Sequence, residues 1–178
     1  MNLPNKITIF RVFMIPLFVV LMMLQRLPWN EFYALAVYAI ACISDALDGH
    51  IARKYNLVTD FGKFMDPLAD KLLVCAALIA LVEMCRIPSW VVIVIISREF
   101  IINGFRTIAA DNGVVIAASY WGKFKTTFQM IMVCLMIANI EVLSVLTAII
   151  MWIALALTVV SLVDYLWKNK DVMKDNKA

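Results

Sequence analysis

Charge is what this sequence has least of. Only 16% of its 178 residues are charged, while 64% are hydrophobic. Soluble domains carry about 25% charged residues, so this chain has too little polar surface to cover a soluble fold. With a mean hydropathy of +0.90, the composition predicts an integral membrane protein, a single domain over residues 1–178. Histidine is almost missing, His50 being the only one. One histidine with no cysteine cluster beside it excludes the usual zinc sites. The four cysteines (Cys42, Cys75, Cys85 and Cys134) form no CxxC pair. Three of them lie in apolar runs, where a cysteine ordinarily packs as a small hydrophobe. Basic blocks and base-stacking patterns are also lacking, which excludes nucleic acid as a partner. The N-terminal run has no small-x-small cleavage site, and Arg11 interrupts it. It reads as a retained first helix rather than a signal peptide.

What the sequence does have is long apolar runs. A helix needs about 20 mainly apolar residues to span a bilayer. Six segments meet that length: 7–27, 31–53, 65–85, 88–108, 120–138 and 143–167. The predicted fold is therefore all-α, a polytopic membrane protein with six transmembrane helices. With the N-terminus inside, the inner side receives Lys6, Arg11, Arg53, Lys54, Lys63, Lys71, Arg98, Arg106, Lys123, Lys125, Lys168, Lys170, Lys174 and Lys177. The outer side receives only Arg26 and Arg86. That asymmetry predicts a cell-membrane protein with both termini cytoplasmic. Trp29 and Trp90 mark the outer boundary, and Trp121 and Trp167 the inner one. Trp152 falls mid-segment and breaks the belt.

The stretch "SDALDGHIARKYNLVTDFGKFMDPLADK", 44–71, holds five aspartates between two apolar segments. Asp45 and Asp48 are three apart near the end of the second helix, so they share a face. Gly49 and Ala52 continue that stripe with small side chains, leaving room for a ligand. Asp66 and Asp70 are four apart near the start of the third helix, with Gly62 one turn back. Pro67 is tolerable there if it falls in the first helical turn. Four converging carboxylates cannot all ionise without cations between them. All-oxygen ligands suit Mg²⁺ or Mn²⁺. Two such metals clamp a diphosphate for in-line displacement at phosphorus. Asp60 lies outside both stripes and reads as a solvated residue or helix cap. The predicted active site lies at the cytoplasmic helix ends.

Those residues resemble the signature of the CDP-alcohol phosphotransferase family, D-x₂-D-G-x₂-A-R-x₈-G-x₃-D-x₃-D. It is matched at Asp45, Asp48, Gly49, Ala52, Arg53, Gly62, Asp66 and Asp70, eight fixed positions within 26 residues. Further stretches, "NLPNKITIFRVFMIP", "SREFIINGFRTIAADNGVVIAAS" and "WGKFKTTFQ", resemble the branch that makes phosphatidylglycerophosphate. The resemblance implies a reaction: CDP-diacylglycerol plus sn-glycerol 3-phosphate gives phosphatidylglycerophosphate plus CMP. It implies two metals per site on Asp45, Asp48, Asp66 and Asp70, with Asp70 also the general base. It implies that Gly49, Arg53 and Thr59 contact the CDP moiety. Asn5 and Thr8, in the "PNKIT" stretch leading into the first helix, would close over it. It also implies a homodimer among membrane lipids.

A phosphorylated acceptor calls for a basic pocket. Arg98 lies about 15 Å into the fourth segment, where a guanidinium needs a partner or a polar cavity. Glu99 adjoins it but points elsewhere on an ideal helix. Arg98, Arg106 and Lys123 are the expected acceptor-phosphate ligands. Lys125 divides evenly between that role and setting topology. Serine, inositol phosphate or phosphatidylglycerol is the alternative acceptor within the family. A prenyltransferase would need more helices and lacks the D-G-x₂-A-R element. A divalent-cation transporter would carry its acidic ligands near the bilayer midplane instead.

Overall fold

The computed structural model describes residues 3–24, 28–54, 60–111 and 119–169, with the side chains of 3–4, 6, 46–54, 60–64, 66–67 and 111 outside that description. Among the described residues the fold is six α-helices and no strand. They are α1 (Leu3–Met23), α2 (Asn30–Lys54), α3 (Asp60–Glu83), α4 (Ser89–Asp111), α5 (Tyr120–Ala138) and α6 (Ser144–Lys168). A single 3-10 turn, Glu141–Leu143, leads into α6. The chain forms two compact units. One gathers α1, α2, α3 and residues 136–139; the other gathers α4, the rest of α5 and α6.

Two helices start earlier than the apolar runs predict. α1 begins at Leu3, so Asn5 lies inside the helix as well as Thr8. α3 begins at Asp60, which places Pro67 beyond the first turn where it was expected. The physical reason is that apolar runs mark only what a membrane would cover. A helix continues through polar residues for as long as its backbone bonds close, and Pro4 costs none of them in a first turn.

In the first unit, α1 and α2 run antiparallel. Phe18 meets Tyr38 with ring centroids 5.7 Å apart. Seven residues back along α1, Arg11 meets Asp45, seven residues on along α2. The buried face of α1 is Arg11, Ile15, Phe18 and Met22, and that of α2 carries Ala34, Tyr38 and Ala41. On α3 it is Ala69, Leu73, Ala77 and Leu81. These are helical i, i+3, i+4 spacings, and the alanines let the backbones approach closely.

Each short turn contains a non-glycine residue with positive φ: Trp29 (63°), Cys85 (56°) and Asn139 (48°). At the end of α3 the Arg86 amide donates to the Leu81 carbonyl and the Cys85 amide to the Val82 carbonyl, each at 2.9 Å. That is a Schellman ending, with Cys85 where glycine is usual. Arg86 then caps the end of α5, donating Nη1 to the Met136 and Ile137 carbonyls at 3.1 Å each. Its Nη2 pairs with Glu31 at the start of α2, which also accepts from Asn139 Nδ2 at 3.2 Å. One arginine thus ties together the ends of three helices.

In the second unit, α4 and α6 run parallel. Trp90 pairs with Trp152, Arg98 with Ser161, and Phe105 with Tyr165, in matching order along both helices. Trp152 is the ninth residue of α6 yet packs on Trp90 at the start of α4. α6 therefore begins about 10 Å before α4 along their common direction. That offset brings Trp152 level with Trp90.

Candidate active site

The aspartates fall on the helices as the spacing requires. Asp45 and Asp48 lie within the last three turns of α2, and Asp66 and Asp70 in the second and third turns of α3. Asp70 is exposed. Asp45 accepts from Arg11 Nη1 at 2.5 Å. The side chains of Asp48, Gly49, Arg53 and Asp66 lie outside the described residues, as does Thr59 altogether. Among the described residues no three metal-capable side chains converge, and two of the four aspartate side chains lie outside that search. The donor set fits a hard divalent cation on its chemistry. It is all carboxylate, and Arg11 engages Asp45 through one oxygen of a group with about four acceptor positions. Asn5 and Thr8 are buried about two turns and one turn before Arg11 on α1, respectively.

The buried face of the second unit becomes polar partway along. On α4 it reads Val91, Ile95, Arg98 and Ile102; on α6, Ala154, Thr158, Ser161 and Tyr165; on α5, Lys125, Gln129, Met132 and Val133. Arg98 is buried, and its Nε donates to Ser161 Oγ at 3.1 Å. Its Nη1 reaches Glu99 Oε1 at 3.1 Å. The sequence expectation that Glu99 points elsewhere is corrected here. Both side chains are long enough to bend together despite diverging at Cα. Glu99 also takes the ammonium of Lys125. Lys125 is thus a buried ion-pair partner, 2% exposed, and not a topology-setting surface charge.

Arg98 and Arg106 both rest on α6. The Arg106 guanidinium stands over the Tyr165 ring, 5.9 Å from its centroid. Ser161 and Tyr165 are one turn apart, so the two arginines occupy successive turns of one α6 face. Arg106 is exposed, its charge available to a ligand. Lys123 is exposed too and stands 5.5 Å from the Tyr120 ring centroid. Its neighbour Gly122 lies beside Arg98: a methyl group there would stand 3.5 Å from Arg98 Nη2. The predicted phosphate ligands Arg98 and Arg106 are thus brought onto neighbouring ground. The Gly122 contact puts the first turn of α5, which carries Lys123, next to Arg98.

Four participants were not singled out from the sequence: Arg11, Glu99, Ser161 and Tyr165. Arg11 and Glu99 did leave a trace, being charges inside apolar runs, where each needs a partner. Ser161 and Tyr165 left a fainter one, polar groups at i, i+4 within the most apolar helix. Tyr165 is 3% exposed, and its hydroxyl is buried with no hydrogen-bond partner.

Against this geometry stand the likenesses to known proteins. Residues 1–160 match the family pattern "CDP-alcohol phosphatidyltransferase". A Bacillus subtilis protein named CDP-diacylglycerol–glycerol-3-phosphate 3-phosphatidyltransferase is 45% identical, over 97% of each chain. A Haemophilus influenzae protein of the same name is 39% identical, over 98% of this chain and 97% of its own. A Mycobacterium tuberculosis protein named probable phosphatidylglycerophosphate synthase is 37% identical, over 92% of this chain and 79% of its own. These matches run through the aspartates of α2 and α3 and the basic residues of α4 and α5 alike. With the eight-position signature intact on two helix ends, they establish that the chain belongs to the CDP-alcohol phosphatidyltransferase family.

Proposed function

We propose that this enzyme transfers the phosphatidyl group from CDP-diacylglycerol to sn-glycerol 3-phosphate, giving phosphatidylglycerophosphate and CMP. One observation carries the reading: 45% identity over 97% of both chains to a relative named for that reaction. Asp45, Asp48, Asp66 and Asp70 would hold two divalent cations, Mg²⁺ or Mn²⁺. When bound, these supply the positive charge that a reacting diphosphate requires. Gly49, Arg53 and Thr59, with Asn5 and Thr8, bind the CDP portion.

Asp70 takes the proton of the acceptor's primary hydroxyl. The hydroxyl oxygen then bonds to the β-phosphorus of the CDP-lipid. The bond from that phosphorus to the bridging oxygen breaks, and CMP leaves with the electron pair. The exposure of Asp70 suits this role, since a base must reach a polar acceptor arriving from water. Arg98, Arg106 and Lys123 bind the acceptor's phosphate. Arg98 is pre-oriented by Ser161 and Glu99, and such preorganisation lowers the cost of binding.

Among the described residues, only the helical stretch Glu141–Lys168 is both long and apolar enough to cross a membrane unaided. α2 to α5 all carry charged residues. The membrane reading nevertheless extends to all six helices, with both termini cytoplasmic. It is supported by apolar side chains left exposed along their lengths. Phe10, Phe13, Leu17 and Val20 form such a stripe on α1; Val145, Ile149, Trp152 and Val163 are exposed on α6. Stripes of this extent belong against lipid or a second copy of the chain, in keeping with a homodimer.

The test is CMP release from CDP-diacylglycerol by the purified protein in detergent with Mg²⁺ or Mn²⁺. Glycerol 3-phosphate, serine, inositol phosphate and phosphatidylglycerol are compared as acceptors. Release with glycerol 3-phosphate alone, lost on chelation, is the expected result. Release with another acceptor would reassign the substrate, and release with none would overturn the enzymatic reading.

A further inference from the structure

Arg11 is an arginine inside an apolar run, its side chain 0% exposed, yet no role in the reaction has been given to it. A guanidinium so deeply desolvated must be held by an anion. Asp45 Oδ1 supplies one at 2.5 Å, from the neighbouring helix α2. The Asp45 side chain itself is 40% exposed, so the pair is asymmetric, with the cation sealed in the helix packing and the carboxylate still open on its other side. Arg11 continues the buried face of Ile15, Phe18 and Met22, which locks its position against α2.

From this geometry we propose that Arg11 is a positioning residue for metal binding: it fixes the Asp45 carboxylate through one oxygen and presents the remaining acceptor positions to a divalent cation. The proposal rests on the reading of Asp45 as a metal ligand. A carboxylate that binds a metal gains from a donor that sets its orientation, and losing such a donor typically costs 10–100-fold in metal affinity. Arginine suits the task better than lysine because a guanidinium keeps its charge when buried, where an ammonium readily loses it. Arg11 also supplies a positive charge beside the acidic cluster before any metal arrives, easing the convergence of like charges.

The experiment measures Mn²⁺ binding by electron paramagnetic resonance on the full-length protein in detergent, without lipid substrate. The variants are Arg11→Gln, Arg11→Lys and Asp45→Asn. A purely structural staple between α1 and α2 would shift the unfolding temperature in chelator but leave the Mn²⁺ dissociation constant of the folded protein alone. The expected result is a dissociation constant raised roughly 10–100-fold in Arg11→Gln and less in Arg11→Lys. If Arg11→Gln does not fold, Arg11→Lys decides, a weaker Mn²⁺ affinity supporting the proposal. Native affinity in a folded Arg11 variant, with Asp45→Asn weakened, would overturn the positioning role alone. Native affinity in Asp45→Asn would remove Asp45 from the metal site, and the proposal with it.

Discussion

Replacing Arg98 by glutamine separates its two jobs. In the folded protein the guanidinium bonds Ser161 Oγ and Glu99 Oε1, each at 3.1 Å. Neither partner is orphaned by its loss. Ser161 Oγ still donates to the Thr158 carbonyl at 3.0 Å, and Glu99 keeps the ammonium of Lys125. The stability cost should therefore stay near the net value of a charged hydrogen bond, about 1.5–3 kcal/mol. In the proposed complex the same guanidinium also meets the acceptor's phosphate. Losing one charge-assisted contact of about 1.5–3 kcal/mol corresponds to a KM for glycerol 3-phosphate raised roughly 10- to 150-fold. The assay is CMP release with acceptor varied at saturating CDP-diacylglycerol, then the reverse. The acceptor KM should rise while the CDP-lipid KM holds, and Arg98→Lys should fall between wild type and Arg98→Gln. A folded variant with native acceptor KM would remove Arg98 from the acceptor site and leave it a structural strut.

Asp70→Asn should lower CMP release by roughly 10²–10⁴-fold, the usual worth of a general base, and more if the metal is lost as well. Because Asp70 is exposed, its unfolding temperature in chelator should hold, and a parallel fall in stability would argue against a chemical role. Arg86→Gln should destabilise the fold by about 3 kcal/mol, since the Met136 and Ile137 carbonyls lose their donor together and Glu31 is left with Asn139 alone. Denaturant titration in detergent reads this, and a native midpoint would mean that water replaces the cap. Cys85→Gly should raise the midpoint in the same titration. It relieves a left-handed residue at φ 56° that costs roughly 1 kcal/mol, partly offset by the freedom glycine adds to the unfolded chain. An unchanged or lower midpoint would show that the turn carries no such strain.

The candidate carboxylate pairs were legible as shared helix faces because that information is local. Asp45 and Asp48, and Asp66 and Asp70, lie within single turns of their helices, where spacing alone decides which side chains share a face. The basic residues of α4 and α5 were legible only as a list of charges. That Arg98 and Arg106 rest on one face of α6 depends on the register of α4 against α6, and no local spacing encodes it. Glu99 shows the same limit more sharply. Adjacent residues diverge on an ideal helix, yet Lys125 on α5 and Arg98 draw the carboxylate between them.

By itself the sequence determined the helical class, the number of apolar segments, the carboxylate pairs and the family to which they belong. All of these follow from periodicities and spacings short enough to be set by one helix. Tertiary structure decided the pairing of Arg11 with Asp45, the offset that aligns Trp152 with Trp90, and the capping of α5 by Arg86. Each depends on which helices become neighbours and at what axial shift. Those shifts are set by the summed packing of buried faces, and distant parts of the chain must already have met before they exist.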